Sequence, residues 1–588
     1  MKPTRRQFIR SAACSVALPM LGSRAFAAIS PATSASSSRQ KLRSFGYSDV
    51  KLLGGPLKDQ FDRTFDFFMK LDNDRMLKVY RQLSGRPAPG EELAGWYKEG
   101  GFAPGHAFGQ WVSAISRFTA ARGDAAAKEK VAKLVHGFAE AIAGPKSFYE
   151  GNRFKGYSYD KHVIGLVDAF RCAGVSDAKD VFAKATELAL KVLPEKALTR
   201  EEQAQRPHKD VSYTWDEFYT LPENLFIAHE TFGDDRYLEM AKRYLHDKPY
   251  FEPLAAGKNA LVGQHAYSHV NALSSAAKAH LVLGDEMHFL AARNGFDFVL
   301  AQSYASGGWG PNETFVEPGK GKLFESLAST HNHFETPCGS YAQFKITRYL
   351  MSITGESRYG DALERMLYNG ILAAKPVQPD GTSFYYSDYQ HDAHKNYYGE
   401  KWPCCSGTYP QAIADYLVSA YFHDDDGVYV NLYAPSQVRW NDVTLTQETD
   451  YPSSDRVKFR IATPQPKKFA LRLRIPAWAD GASVDGESAK PPAGAFFSVA
   501  RTWRDGDTIV LTLPLRSRTE AIDEQHPDVV ALMRGPVMMV ATQNRLQVPR
   551  RAVEQMKDVG DVAASQQLKF VPFHRVNDEP YTTYFTQT

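Results

Sequence analysis

The sequence predicts a chain in two parts, mainly α and then β: an (α/α)6 barrel, or toroid, followed by C-terminal β-sandwich structure. Three observations carry this. Apolar residues recur at helical spacing from about residue 45 to 425. A Gly-acid step recurs between successive helical segments. After about residue 425 the hydrophobic period drops to two.

The N-terminus reads as an address, not a fold. Thr4, Arg5, Arg6, Gln7 and Phe8 form a twin-arginine pattern, an apolar run follows from Ala12 to Leu21, and Ala25-Phe26-Ala27 supplies small residues for cleavage. The run is shorter than the ~17–25 residues a spanning helix needs. Residues 1–27 are therefore expected to be a signal peptide, with a periplasmic or secreted mature protein that no longer engages the membrane. Residues 28–44, rich in Ser, Ala and Thr, read as a flexible linker.

The helical part is assigned to 45–425. Phe61, Phe65, Phe68 and Leu71 share one helix face, as do Trp111, Ile115 and Phe118, and later Leu363, Met366, Leu367 and Ile371. The joints are Gly123-Asp124, Gly233-Asp234, Gly284-Asp285 and Gly355-Glu356. In each, Gly is expected to close one helix in a left-handed conformation and the acid to cap the next. About a dozen helices in pairs suit a toroid, with an irregular helical bundle as the alternative. In a toroid, the loops at one mouth form a concave pocket.

The strand part opens with Val428–Tyr433, continues through Phe469–Ile475 and Thr508–Leu513, and is assigned to a β-sandwich over 426–520. A second β-rich segment is expected over 521–588, where Val529–Leu532 leads into Arg534-Gly535-Pro536.

Composition narrows the function. Of 588 residues, 43% are apolar and 23% charged, which excludes wholesale disorder. Lys plus Arg number 70 against 67 acids, so the chain lacks the basic excess of a nucleic-acid binder. Cys14 leaves with the signal; Cys172, Cys338, Cys404 and Cys405 remain. Adjacent cysteines do not pair without strain, and free thiols in an oxidising compartment call for a partner. Glu335 and Cys338 with Cys404 and Cys405 make a donor set that suits tetrahedral Zn²⁺. Buried structural cysteines are the alternative, and His331 and His333 are rival ligands or sugar contacts. The glycine-rich stretch Gly307–Phe315 projects Glu313 among aromatic residues, a setting that suits a general acid.

Taken together these residues resemble glycoside hydrolase families 127 and 146, the β-L-arabinofuranosidase group. The likeness runs from about Val50 to Phe585. It includes Asp74-Arg75, Gly105-His106, Gly263–Ala266, the Glu313 loop, Cys338–Tyr341, Lys345–Arg348, Leu367–Leu372, Cys404-Cys405 and Arg534–Pro536. The resemblance implies a zinc enzyme acting on carbohydrate with retention, and an (α/α)6 barrel followed by β-sandwiches. It implies Glu313 as acid/base, Cys404 as nucleophile, and Glu335, Cys338, Cys404 and Cys405 as zinc ligands. His265, His106 and His331 are expected to contact the sugar, and Tyr385 to line the pocket.

Three departures bear on the pocket. Thr336 and Pro337 both intervene between Glu335 and Cys338, where the family has one residue. Tyr219–Asn224 replaces a Gly- and Met-rich motif, and Asp160, near His162, replaces a family His. A polysaccharide lyase, or a glycan-binding protein with structural zinc, are the competing functions.

Overall fold

The computed structural model describes residues 39–588 except 207–214, 543–546, 555–556, 560–561 and 566–567. The expected signal peptide and most of the expected linker lie outside the described residues.

Twelve helices build the barrel. The inner ring is α2 (Phe108–Arg122), α4 (Lys155–Arg171), α6 (Leu221–Phe232), α8 (Ala266–Leu283), α10 (Thr336–Thr354) and α12 (Cys405–Ala414). Each inner helix packs on the next, and α12 returns to α2, closing the ring. Around it lie α1 (Gly55–Lys70), α3 (Ala125–Ile142), α5 (Ala178–Ala189), α7 (Asp235–Arg243), α9 (Glu286–Leu300) and α11 (Arg358–Met366). This is an (α/α)6 barrel.

Burial follows from position in the two layers. Every residue of α8 from Ala266 to Leu281 is buried, whereas α7 buries only Tyr237, Met240 and Ala241. An inner helix touches neighbours all round, so only an outer helix keeps an amphipathic stripe. The ring is tightest between α2 and α4. A Cβ added at Gly109 would stand 1.9 Å from the Lys161 carbonyl oxygen, and one at Gly165 would stand 2.5 Å from that of Gly109.

The Gly-acid joints all connect an inner helix to the following outer one. Gly123, Gly233, Gly284 and Gly355 take φ of 64°, 67°, 83° and 73°. Asp124, Asp234 and Asp285 accept from the backbone N–H groups of Ala127, Arg236 and Met287. The fourth joint differs from expectation. Ser357 precedes α11, and Glu356 pairs instead with Arg358 Nε at 2.7 Å. Leu367–Ile371 continues α11 as a π turn, not as regular helix. The joints gather at one end of the barrel. The longer outer-to-inner connections, including 301–335 and 367–404, gather at the other.

Two sheets form the sandwich. One runs in the order Arg43–Ser44, Tyr421–His423, Gly427–Val430, Lys467–Ile475, Ala495–Trp503. The other runs Ser483–Val484, Thr508–Thr512, Arg456–Ala462, Val443–Thr449, Ser436–Trp440, Val50–Leu52. Arg456–Ala462 alternates strictly, with Val457, Phe459 and Ile461 turned inward. Gly427–Val430 pairs parallel with Lys467–Ile475, from Ala470↔Gly427 to Leu473↔Val430.

Both sheets end on strands from the N-terminus, which corrects the linker assignment over its last residues. Leu42 is buried; Arg39 Nη1 donates to the Leu281 carbonyl and Lys41 Nζ to that of Thr354, each at 3.1 Å. These cations sit where α8 and α10 end, and helix C-termini favour positive charge.

A third, eight-stranded sheet occupies the C-terminal segment. It begins at Ser517–Ala521, which pairs with Val529–Arg534. Between barrel and sandwich, fully buried Arg474 pairs with Asp361 and Glu364 of α11.

Candidate active site and metal centre

Three inner helices present their first residues at one mouth: His265 precedes α8, Glu335 precedes α10 and Cys404 precedes α12. Unpaired N–H groups at such ends favour negative charge, so the ring itself prepares the place for thiolate and carboxylate.

The four expected metal ligands come together. Cys338 Sγ lies 3.5 Å from Cys404 Sγ and 3.4 Å from Cys405 Sγ. Glu335 Oε1 lies 3.1 Å from Cys404 Sγ and 3.6 Å from Cys405 Sγ. All four ligand atoms fall within 4.8 Å of one another. The additional residue before Cys338 is accommodated by backbone. Phe334–Glu335 pairs as a short strand with Tyr386–Ser387, Thr336 N donates to the Tyr385 carbonyl at 2.7 Å, and Pro337 sits in the first turn of α10. Glu335 Oε2 is buried without a hydrogen-bond partner. Three soft sulfurs, one carboxylate and an orphaned carboxylate oxygen fit a zinc ion.

Charge in the cluster settles on one sulfur. Burial opposes ionisation of Cys404, but hydrogen bonds to Cys338, Cys405, Tyr385 and Glu335 outweigh it and hold the thiol well below its ordinary range. Burial, reinforced by the interactions with Cys404, pushes Cys338 well up. Burial likewise raises Cys405, and it raises Glu335 with help from the charges of Cys404 and Glu313.

Above Cys404 is a cavity of about 140 Å3. Its chemical groups are Cys404, Glu335, Glu313, His265 and Glu217; its walls are Trp96, Phe102, Phe154, Tyr157, Trp215, Tyr267, Tyr385 and Tyr398. Tyr385 Oη is 3.4 Å from Cys404 Sγ.

Glu313 reaches the cavity from a strained turn. Asn312 and Glu313 take φ of 51° and 58°, a left-handed conformation costly for residues with a Cβ. Asn312 N donates to the Asn332 carbonyl at 2.7 Å and Thr330 Oγ1 donates to its side chain, which holds the turn. Tyr386 Oη donates to Glu313 Oε1. Burial and the Glu313 charge raise the Tyr386 phenol far above its ordinary range, so it remains a donor.

His265 stands among three carboxylates. Its Nδ1 meets Glu217 Oε1 at 2.6 Å, and its Nε2 lies 3.4 Å from Glu313 Oε2 and 3.7 Å from Glu335 Oε2. Burial works against protonation, but Glu217, then Glu313 and Glu335, outweigh it and hold the imidazole well above its usual range.

Other expected contacts stand elsewhere. His331 is exposed and pairs with Asp388 at 2.7 Å. His333 is buried, accepting from Tyr389 N at 3.0 Å and facing the Ser326 carbonyl at 3.1 Å. Neither histidine belongs to the metal group or lines the cavity. His106 is fully buried behind the wall, its Nδ1 on the Ala103 carbonyl at 2.7 Å. His162 lies between the hydroxyls of Tyr80 and Tyr149, 2.7 Å from each. Asp160 bonds Lys161 and, through Oδ1, Asn224 Nδ2 at 2.7 Å. Two departures from the family pattern thus meet each other, outside the cavity lining.

Tyr385 lines the cavity as expected; Glu217, Tyr386 and the other aromatic walls escaped the sequence reading. Trp215-Asp216-Glu217 has no spacing signal, and Tyr386 gains its role only through the strand pairing that sets it beside Glu313.

Residues 49–417 match the family model for the β-L-arabinofuranosidase GH127 catalytic domain, and residues 427–515 match the GH127 middle domain. By class, then, the chain is a glycoside hydrolase. It belongs to family GH127, the β-L-arabinofuranosidase family. Its fold is similar to that of a GH127 β-L-arabinofuranosidase from Geobacillus stearothermophilus T6, at 17% identity and TM-score 0.70, covering 92% of this chain and 100% of that one. A GH127 β-arabinofuranosidase aligns at 17% identity and TM-score 0.70 over 94% of this chain and 98% of its own. The structure of a third glycoside hydrolase aligns at 15% identity and TM-score 0.67 over 94% of this chain and 98% of its own. No curated protein matches the chain. Among the described residues, no helix is long and apolar enough to cross a membrane.

Proposed function

We propose that the chain is an exported, retaining exo-glycosidase that releases β-L-arabinofuranose or a related sugar from plant-type glycans. Cys404 is the nucleophile and Glu313 the acid/base. The observation that carries this is the shared cavity: the thiol of Cys404 and a carboxylate held by Tyr386 and His265 line the same small space. A cavity of about 140 Å3 is small beside ordinary ligand clefts of ~300–1,000 Å3 and suits a terminal sugar.

Glu335, Cys338, Cys404 and Cys405 would hold the zinc ion. Bound there, it keeps its thiol ligands ionised and lessens the charge on a departing sulfur. In the first half-reaction Cys404 Sγ attacks the anomeric carbon while Glu313 gives its proton to the leaving oxygen. A thioglycosyl enzyme forms and the alcohol departs. In the second, Glu313 takes a proton from water, the hydroxide adds at the anomeric carbon, and the C–S bond breaks to return Cys404 as thiolate. Two inversions leave the configuration retained. His265, held by Glu217, keeps Glu313 and Glu335 apart and faces the sugar hydroxyls. The aromatic walls exclude water and stack on the ring.

The test is hydrolysis of aryl glycosides, led by the β-L-arabinofuranoside, by zinc-loaded and chelator-treated protein, with product configuration read by NMR. Zinc-dependent release with retention is expected. Inversion would remove Cys404 from its role; ultraviolet absorbance from an unsaturated sugar would replace hydrolysis with elimination.

A further inference from the structure

The third sheet lies beyond both matched family segments, the later of which ends at residue 515, yet the C-terminal segment that contains it holds the loops that build the acid side of the pocket. One such loop is the hairpin 384–398. Its base is closed by a bridge between Phe384 and Tyr397 and by Tyr398 N on the Ser383 carbonyl at 2.9 Å. That base carries Tyr385, Tyr386 and Tyr398. Its far end is fastened to the C-terminal segment. Ala393 and Tyr581 exchange backbone hydrogen bonds at 3.0 and 2.9 Å, and Tyr581 Oη donates to the Asp388 carbonyl at 2.6 Å. Buried Lys395 reaches the carbonyls of Phe573 and Val576 at 2.7 and 2.9 Å.

The second loop is the connection 301–321, which carries Glu313. Here Ala305 N donates to Tyr584 Oη at 2.8 Å. Ser306 and Tyr389 join this connection to the hairpin by their hydroxyls. The two loops meet again in the pocket, where Tyr386 donates to Glu313. The C-terminal segment therefore grips both members of that pair, one through Tyr581, just before the last strand, and one through Tyr584 within it.

We propose that Tyr581, Tyr584 and Lys395 are positioning residues, through which the C-terminal segment around the third sheet sets the Tyr386–Glu313 contact. The inference rests on Glu313 being the acid. Its logic is that catalytic groups carried on long loops need outside support to stay within about 0.5 Å of working geometry. A folded C-terminal segment bound at both loops supplies that support without touching the sugar.

The test uses the full chain with Tyr581→Phe, Tyr584→Phe and the double variant, which keep the rings and lose only the hydroxyls. Hydrogen exchange should quicken in peptides spanning 301–315 and 384–398 while α8 and α10 keep their protection. Turnover of an alkyl β-L-arabinofuranoside, which needs its leaving group protonated, should fall about tenfold or more in the double variant. The 4-nitrophenyl glycoside should fall far less, with KM little changed. Unaltered exchange in both loops, or equal losses on the two glycosides, would overturn the clamp. Full activity of Glu313→Gln on the alkyl glycoside would instead overturn the assignment of the acid, and the exchange measurement would still judge the clamp by itself.

Discussion

Cys404 stands just before α12, with a carboxylate, two thiols and a phenol around its sulfur. Of the three thiols in the ligand cluster, only that of Cys404 also lines the cavity. Cys404→Ser should therefore abolish turnover while part of the zinc is retained, measured by activity beside metal content. Glu313→Gln should lower turnover of alkyl glycosides about 10²–10⁴-fold and of activated aryl glycosides much less. Glu217 acts through His265. Glu217→Gln keeps an acceptor for Nδ1 but removes the charge, and a loss of about tenfold in kcat with unchanged folding is expected. These residues were unevenly legible. The thiols and Glu313 stand out because their types are rare or oddly placed. Glu217 is one acid among many until the loop before α6 brings it to His265.

At the scale of elements, the Gly-acid joints and the glycine crossing do different work. The joints lie away from the pocket. Asp124→Ala should cost about 1 kcal/mol of stability, seen as a lower melting temperature with kcat unaltered. Gly109 lies against the α4 backbone, where no side chain can yield. Gly109→Ala should cost about 1–3 kcal/mol or more and should also disturb activity, because α2 and α4 border the pocket mouth. The joints were legible because capping is local chemistry. Glu356 shows the limit of that: the same dipeptide pattern pairs with Arg358 instead of capping. The closeness of α2 and α4 involves residues 52 apart and has no local mark beyond the glycine itself.

At the scale of the molecule, strands from the N-terminus complete both sandwich sheets, and the C-terminal segment reaches back to the loops beside the pocket. Chain order and spatial order thus differ at both ends. Lys395 gives the C-terminal contact a measurable signature. Burial, with the neighbouring Lys375 charge, lowers its amine to about 7, against a small opposing effect of Glu579; Asp578 is engaged by Lys375. The amine is neutral in the fold above about pH 7 but protonated in the unfolded chain up to about 10.4. The unfolded state therefore binds more protons between these values, so this group's contribution to stability rises with pH across that window. The difference in melting temperature between wild type and Lys395→Met should grow in the wild type's favour from pH 7 to 9. A constant difference would place an ordinary charged lysine there.

By itself the amino-acid sequence determined the two-layer helical barrel, the change to strands and the four residues of the Glu335, Cys338, Cys404 and Cys405 cluster, because periodicity, capping and rare residue types are readable along the chain. The tertiary structure alone decided which histidine lines the cavity. His106, His265 and His331 look alike in sequence, and only packing leaves one buried behind the wall, one between three carboxylates and one in solvent. It also decided that Glu335 reaches the sulfurs despite the extra residue, since that depends on a strand pairing with residues some fifty positions away. Local rules act over a few residues; the site is assembled by contacts between segments that are distant in sequence.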